Sequence, residues 1–138
     1  MKALFPGSFD PFTPGHEAIA RRALRLFDQL VIAVGVNTDK HYLFSPEERV
    51  ARIRDIFADI PQVEVTSYSG MTIDICHQLG ATCIVRGIRT SADLDYEQTI
   101  SAVNHKLDSS IETVLLLADD EHRDISSTLL REQLSHDS

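Results

Sequence analysis

Twelve residues near the start of the chain, FPGSFDPFTPGH from Phe5 to His16, constrain its backbone more tightly than any other stretch. Three prolines (Pro6, Pro11, Pro14) and two glycines (Gly7, Gly15) sit there, directly after the apolar start Ala3-Leu4-Phe5 and directly before a helix-period run. Proline fixes φ and glycine lets a backbone approach a ligand closely, so the stretch reads as a shaped loop joining a strand to a helix. His16 then falls in the first helical turn, where free N–H groups and the positive end of the helix dipole favour an anion. The loop fits neither G-x-x-x-x-G-K-[ST] nor G-x-G-x-x-G. Alone, it reads equally well as a phosphate site or as a rigid turn with a histidine capping the helix.

Beyond that loop, apolar runs and helix-period segments alternate. A helix beginning near Gly15 carries Ile19, Ala23, Leu26 and Phe27 on one face, with Arg21, Arg22 and Arg25 off it. Leu30 to Val36 is continuously apolar and rich in valine, which suits a strand buried on both faces. A polar loop from Asn37 to Phe44 contains Lys40. Ser45, Pro46 and Glu48 then supply the N-cap, N1 proline and N3 acid of a capping box, followed by Val50, Ile53 and Phe57 at helical spacing. Val63 to Thr66 reads as a short strand, before a turn to Gly70 and a helix with Ile75, Cys76 and Leu79 on one face and Gly80 as its C-cap. Thr82 to Val85 is a buried strand ending in Arg86-Gly87-Ile88-Arg89, Ser91 to Leu107 a long helix, and Thr113 to Ala118 a fifth strand. An acidic loop, Asp119 to Asp124, leads into Ser126-Ser127-Thr128 and a last helix through Leu134. Five β-α units with strands this apolar predict an α/β architecture: a Rossmann-like, doubly wound, five-stranded parallel sheet with right-handed crossovers, in a single domain spanning 1–138. In such a sheet ligands sit outside the carboxyl ends of the strands, near the switch point.

A chain of 138 residues with 43% hydrophobic and 25% charged residues has room for one core and is composed like a soluble globular domain. Its formal net charge of -8 argues against a nucleic-acid groove. Any polyanionic ligand must then be met by a local cluster of Lys, Arg and His, with a divalent cation. No run approaches the roughly 18 apolar residues of a membrane span, and the N-terminus enters a strand-like run without a signal-peptide pattern, so the cytoplasm is the expected compartment. Cys76 and Cys83 fit neither zinc nor C-x-x-C spacing and read as reduced, packed thiols. His41, His77, His105, His122 and His136 form no ligand spacing, so no protein metal site is expected.

The residue types that carry chemistry collect at one edge of this sheet. Ser8 and His16 follow the first strand, Lys40 the second, Thr72 the third, Arg86 and Arg89 the fourth, and Ser126 to Thr128 the fifth, so all should face one crevice. Guanidinium forks suit phosphate. Plainer readings exist for several of them: Lys40 as a solvated loop lysine, Ser126 as an N-cap, and Asp93, Asp95, Tyr96 and Glu97 as an acidic helix face in water.

Two motifs at opposite ends of the chain carry a resemblance. Thr13-x-Gly15-His16 resembles the T/H-x-G-H signature of the nucleotidylyltransferase superfamily, and Ile125-Ser126-Ser127-Thr128-x-x-Arg131 resembles its I-S-S-T-x-x-R partner. Within that superfamily PGSFDPFTPGH, Lys40 and RGIRTSADLDYE from Arg86 to Glu97 resemble the phosphopantetheine adenylyltransferases, over essentially the whole chain. The resemblance implies reversible transfer of AMP from ATP to 4'-phosphopantetheine, giving dephospho-coenzyme A and pyrophosphate by direct in-line displacement, without a covalent intermediate. Mg2+ is implied, held mainly through ATP phosphates and water. His16, Lys40 and Arg86 are the implied catalytic groups. Ser8, Lys40, Thr72 and Arg86 would hold the pantetheine substrate. Ser8, Phe9, His16, Gly87, Ile88, Arg89, Glu97, His122, Arg123, Asp124, Ile125, Ser126, Ser127 and Thr128 would hold ATP. The family is also typically a homo-hexamer, with coenzyme A as a product-like inhibitor.

Ser8 stands where the family usually has threonine, which keeps the hydroxyl, and Leu94-Asp95 replaces the usual Phe-Glu before Tyr96. The chain ends at Ser138, whereas relatives commonly continue through a further C-terminal helix. That helix is expected to be absent or shortened, which bears on the hexamer and on feedback by coenzyme A. Two rival functions remain. One is another small-molecule nucleotidylyltransferase, acting on nicotinamide mononucleotide or a cytidylyl acceptor, against which the Arg86 to Glu97 block argues. The other is a non-catalytic module that senses nucleotide or coenzyme A.

Overall fold

The computed structural model describes residues 1–118. The acidic loop, the hydroxyl cluster at 126–128 and the last helix expected from the sequence lie outside the described residues. Strands and helices alternate strictly: β1 (Lys2–Gly7), α1 (Pro14–Ala23), β2 (Gln29–Gly35), α2 (Pro46–Ile56), β3 (Val63–Tyr68), α3 (Thr72–Leu79), β4 (Cys83–Ile88), α4 (Ser91–Leu107) and β5 (Glu112–Leu117). All pairings are parallel and the strand order is β3-β2-β1-β4-β5. The chain thus winds outward from β1 to β3, then crosses back to place β4 on the other side of β1. The β1–β4 boundary is the switch point.

Side-chain alternation explains why the apolar runs are continuous. Ala3, Phe5, Leu30 and Ile32 pack with Ile19 of α1 and Ile53 of α2, while Leu4, Val31 and Ala33 pack with Ile73 and Cys76 of α3. Both faces of the central strands are covered, so neither face can be polar. Helix ends follow local chemistry. Ser45 accepts the N–H of Glu48 at 3.1 Å to start α2, the serine half of the expected capping box. Gly80 closes α3 in the left-handed conformation, φ 71.

Several details differ from the sequence reading. After Ala23 the chain tightens into turns, with Arg25 N–H on the Arg22 carbonyl and Leu26 N–H on the Ala23 carbonyl. This rotates Leu26 into solvent, 59% exposed, while Phe27 returns to the core. In α3 the buried positions are Ile73 and Cys76, and Ile75 and Leu79 are only partly covered. β4 continues past Val85: Arg86, Gly87 and Ile88 pair with Leu115, Leu116 and Leu117 of β5. Ladder bonds are made by the backbone, so a polar side chain does not end a strand that has a partner. Along α4 only Glu97 is buried, and Tyr96 is 62% exposed.

Candidate active site

The site begins with a missing donor. β1 pairs with β4 only at Ala3–Cys83 and Leu4–Ile84, whereas it stays paired with β2 through Gly7–Val34. Pro6 has no N–H to extend the ladder, and a proline in a central strand is ordinarily evidence against that placement. Here the two strands part at their carboxyl ends, and Arg86 spans the gap. Its Nη1 donates to the Pro6 carbonyl at 2.7 Å, while Nε and Nη2 donate to Glu97 Oε1 at 3.0 and 2.8 Å.

The opening is divided in two. A cavity of about 380 Å3 is lined by Ser8, Lys40, Thr72, Arg86 and Glu97, with Tyr68, Ile84, Tyr96 and Ile100 as its less polar walls. A second, of about 600 Å3, lies over the start of α1 and is lined by Ser8, Phe9, Gly15, His16, Gly87 and Arg89. Pro6, Gly7, Ser8 and Arg86 line both. The crevice expected from the sequence thus has two lobes that meet at Pro6, Gly7, Ser8 and Arg86. Glu97, which the resemblance groups with ATP, lines the cavity of Lys40 and Thr72, because its carboxylate is drawn to Arg86. Ile88 is 7% exposed and lines neither cavity. His122, Arg123, Asp124, Ile125, Ser126, Ser127 and Thr128 lie outside the described residues.

His16 is held by the helix it starts. Thr13 Oγ1 accepts the backbone N–H of His16 at 3.3 Å, and the backbone N–H of Thr13 donates to His16 Nδ1 at 3.0 Å. A ring nitrogen that accepts carries no proton, so the neutral imidazole has its proton on Nε2. The ring meets Phe9 edge-on, centroids 5.1 Å apart, and lies 5.4 Å from Phe12. Phe9 itself takes a left-handed backbone, φ 49, and its ring is buried against Phe5 and Phe12. Burial first, then the positive charges of Arg89 and Arg86, hold the imidazole below its ordinary 6.5. The capping reading is correct for Nδ1, and Nε2 is left as a neutral, oriented N–H donor.

Arg89 lies against the same helix start. A Cβ on Gly15 would collide with Arg89 Nη2, so the glycine is what admits the guanidinium. A cation beside the positive end of a helix is unfavourable unless an anion joins them. Among the described residues no carboxylate pairs with the Arg89 guanidinium. Asp93 lines the cavity, but its carboxylate accepts the backbone N–H groups of Arg89 and Thr90 at 3.1 and 3.3 Å.

Lys40 is exposed on a turn closed by its own N–H on the Asn37 carbonyl, 3.0 Å. The far end of its loop is tied to the first loop: Asp10 accepts the N–H groups of Leu43 and Phe44 at 2.6 and 2.9 Å. Thr72 opens α3, its Oγ1 3.3 Å from Tyr68 Oη. Sequence reasoning missed Asp10 and the buried Arg49. The signal for Arg49 was its place on the stripe it shares with Ile53 and Phe57, four residues apart each time, where a charge has no business unless it is used.

Residues 4–133 match the cytidylyltransferase-like family. Relatives include the phosphopantetheine adenylyltransferase of Flavobacterium psychrophilum, 49% identical over 131 residues that cover 95% of this chain and 86% of that protein. The phosphopantetheine adenylyltransferase of Bacteroides thetaiotaomicron is 46% identical over 135 residues, covering 98% and 89%. The chain belongs to the phosphopantetheine adenylyltransferase family. Among solved structures, a lipopolysaccharide core biosynthesis protein from Thermoplasma volcanium shares the fold at a TM-score of 0.64 and 20% identity, over 87% of this chain and 98% of that one. A bifunctional NMN adenylyltransferase/ADP ribose pyrophosphatase from Francisella tularensis does so at 0.65 and 16%, over 99% and 42%. Members of the phosphopantetheine adenylyltransferase family are nucleotidyltransferases, and in this member the divided opening is where such chemistry has room to act.

Proposed function

We propose that this chain reversibly transfers the AMP moiety of ATP to the phosphate of 4'-phosphopantetheine, releasing pyrophosphate and forming dephospho-coenzyme A in coenzyme A biosynthesis. The observation that carries the reading is the common wall. Ser8 and Arg86 line both cavities, so phosphorylated ligands entering from either side bring their phosphates to one place. ATP is assigned to the larger cavity, where Arg89, the first turn of α1 and Nε2–H of His16 converge without a carboxylate partner. 4'-Phosphopantetheine is assigned to the other, its phosphate near Lys40 and Arg86, Thr72 beside it, and its neutral arm along Tyr68, Ile84, Tyr96 and Ile100.

The acceptor phosphate is already an anionic nucleophile, so the chain needs no general base and no covalent intermediate. An acceptor oxygen bonds to the α-phosphorus as the bond to the bridging oxygen breaks, and that electron pair leaves with pyrophosphate. Catalysis is then positioning plus stabilisation of gathering negative charge. His16, neutral and fixed by Thr13, donates from Nε2. Arg86, anchored on Pro6 and Glu97, keeps a further N–H on each of Nη1 and Nη2 for phosphate. Mg2+ would arrive with the nucleotide, held mainly through ATP phosphates and water; of the carboxylates at the site, Glu97 is paired with Arg86, and Asp10 and Asp93 accept backbone N–H groups. Among the described residues no group of three His, Cys, Asp or Glu could hold a metal. Bound to ATP, the ion would screen the charge of the phosphates.

The reading extends to a homo-hexamer, with coenzyme A as a product-like inhibitor, in the cytoplasm. Support for assembly comes from α4, where Val103 and Leu107, outside the cavity walls, are exposed apolar side chains that a second copy could cover; sedimentation velocity tests it. No described helix is long and apolar enough to cross a membrane. The reaction is tested by pyrophosphate release from ATP and Mg2+ on adding 4'-phosphopantetheine, with nicotinamide mononucleotide as the parallel acceptor. Release that depends on 4'-phosphopantetheine, with dephospho-coenzyme A as product, supports the reading. Release with the mononucleotide alone moves the chain to another nucleotidylyltransferase, and ATP or coenzyme A binding without turnover leaves the sensing module.

A further inference from the structure

We propose that Arg49 is a positioning residue for this reaction, a buried guanidinium that fixes the Ser8 loop and the Lys40 loop in one relation to each other. Arg49 lies on α2 at 1% exposure. Its Nη1 donates to the carbonyls of Ser8 at 2.7 Å and Gly35 at 3.1 Å, and its Nε to that of Phe44 at 3.1 Å. The guanidinium carbon sits 4.0 Å from the centre of the Tyr42 ring. Each acceptor belongs to a different piece of the site: Ser8 to the common wall, Gly35 to the end of β2, and Phe44 to the end of the loop that carries Lys40. Asp10 makes the return tie, from the Ser8 loop to the N–H groups of Leu43 and Phe44.

Stability does not explain this arrangement. Among the described residues no carboxylate pairs with Arg49, and its Nη2 is buried without a hydrogen-bond partner. A buried charge without a counter-ion is costly to desolvate, and hydrogen bonds to neutral carbonyls return only part of that cost. What the charge does supply is one rigid fork holding three carbonyls that no single backbone ladder could join. Ser8 borders the nucleotide side as well, but His16 there is held by Thr13 and not by Arg49. Arg49 should therefore act on the alignment of the acceptor more than on ATP binding.

The proposal rests on the adenylyl-transfer reading above, and its test separates the two. Arg49→Met removes the fork but keeps length; Arg49→Lys restores three N–H donors for three carbonyls. Arg49→Met is expected to lower kcat about 100-fold, the scale of a misplacement of about 1 Å, and to raise KM for 4'-phosphopantetheine about tenfold while KM for ATP stays within about twofold. Arg49→Lys should recover kcat to within about tenfold of wild type. Amide hydrogen exchange in the ligand-free protein at residues 40–44 should quicken at least about tenfold in Arg49→Met, with α3 and β5 unchanged. Activity lost only in proportion to the unfolded fraction, with both KM values and loop exchange unchanged, would overturn the proposal. Should Arg49→Met fail to fold, Arg49→Gln carries the same measurements. If the wild-type chain shows no turnover, the fault lies with the reaction, and loop exchange alone decides the role of Arg49.

Discussion

The two cavities share a wall but treat charge oppositely. Beside Lys40 the guanidinium of Arg86 is matched by Glu97, and Lys40, exposed on a turn, is left to meet an anion. Beside His16, Arg89 and the first turn of α1 lie together with no carboxylate paired to the Arg89 guanidinium among the described residues. A triphosphate needs several fixed, uncompensated donors, whereas one phosphate on a long neutral arm needs a cation and an apolar wall. In a chain of net charge -8 the two sides differ in where charge is compensated and not in the number of basic residues.

The sharpest way to break that contrast is His16→Ala. Loss of an oriented donor at developing charge should lower kcat by about 10²–10³-fold. The cap it shares with Thr13 costs only about 1 kcal/mol, so the variant should stay folded, as denaturant unfolding would show. Turnover within tenfold of wild type would remove His16 from the chemistry. Lys40→Ala comes next: kcat/KM for 4'-phosphopantetheine should fall by about 10–100-fold, the worth of one hydrogen bond to a charged group, with ATP affinity unchanged by calorimetry. If ATP affinity falls instead, the assignment of the cavities is reversed.

Gly15→Ala sharpens the other side. The added methyl displaces Arg89, and ATP binding should weaken by about tenfold, the loss of part of a charge-assisted contact. Helix propensity improves by up to about 1 kcal/mol, so melting should not drop. Weaker binding with unchanged or better stability separates a ligand contact from a folding one.

The smallest expected effect is on proton binding. His16 titrates below 6.5 in the folded chain, so as pH falls from 6.5 the unfolded state takes up its proton first. The stability this group contributes is present above 6.5, declines as pH drops toward the lowered folded value, and levels off beneath it. Arg89→Gln should raise the His16 titration, but not fully to 6.5, because burial is the larger cause. Proton NMR of the imidazole checks both the direction and the incompleteness.

What the sequence made legible was local. Strand runs, the helix over 91–107, the Gly80 cap and the loop that delivers His16 each depend on residues a few positions apart, and period and turn chemistry report on those. Long-range consequences left little trace. Pro6 constrains a loop in the sequence, but that it opens the sheet requires knowing that β4, almost eighty residues on, lies beside it. The bond that joins the two sides is that of Arg86 to the Pro6 carbonyl, and Glu97 of the following helix holds the arginine for it. Arg49 reaches the Ser8 carbonyl across 41 residues, and its only sequence mark is a charge on an apolar stripe.

Two ligands that approach one wall from opposite sides should leave separate marks in a backbone NMR spectrum. A non-hydrolysable ATP analogue with Mg2+ should shift the amides of Gly15, His16 and Arg89, and 4'-phosphopantetheine alone should shift those of Lys40 and Thr72. Both should move Ser8 and Arg86. Two ligands that perturb the same set of amides, or ATP that perturbs Lys40 and Thr72 while leaving His16 and Arg89 still, would contradict the account.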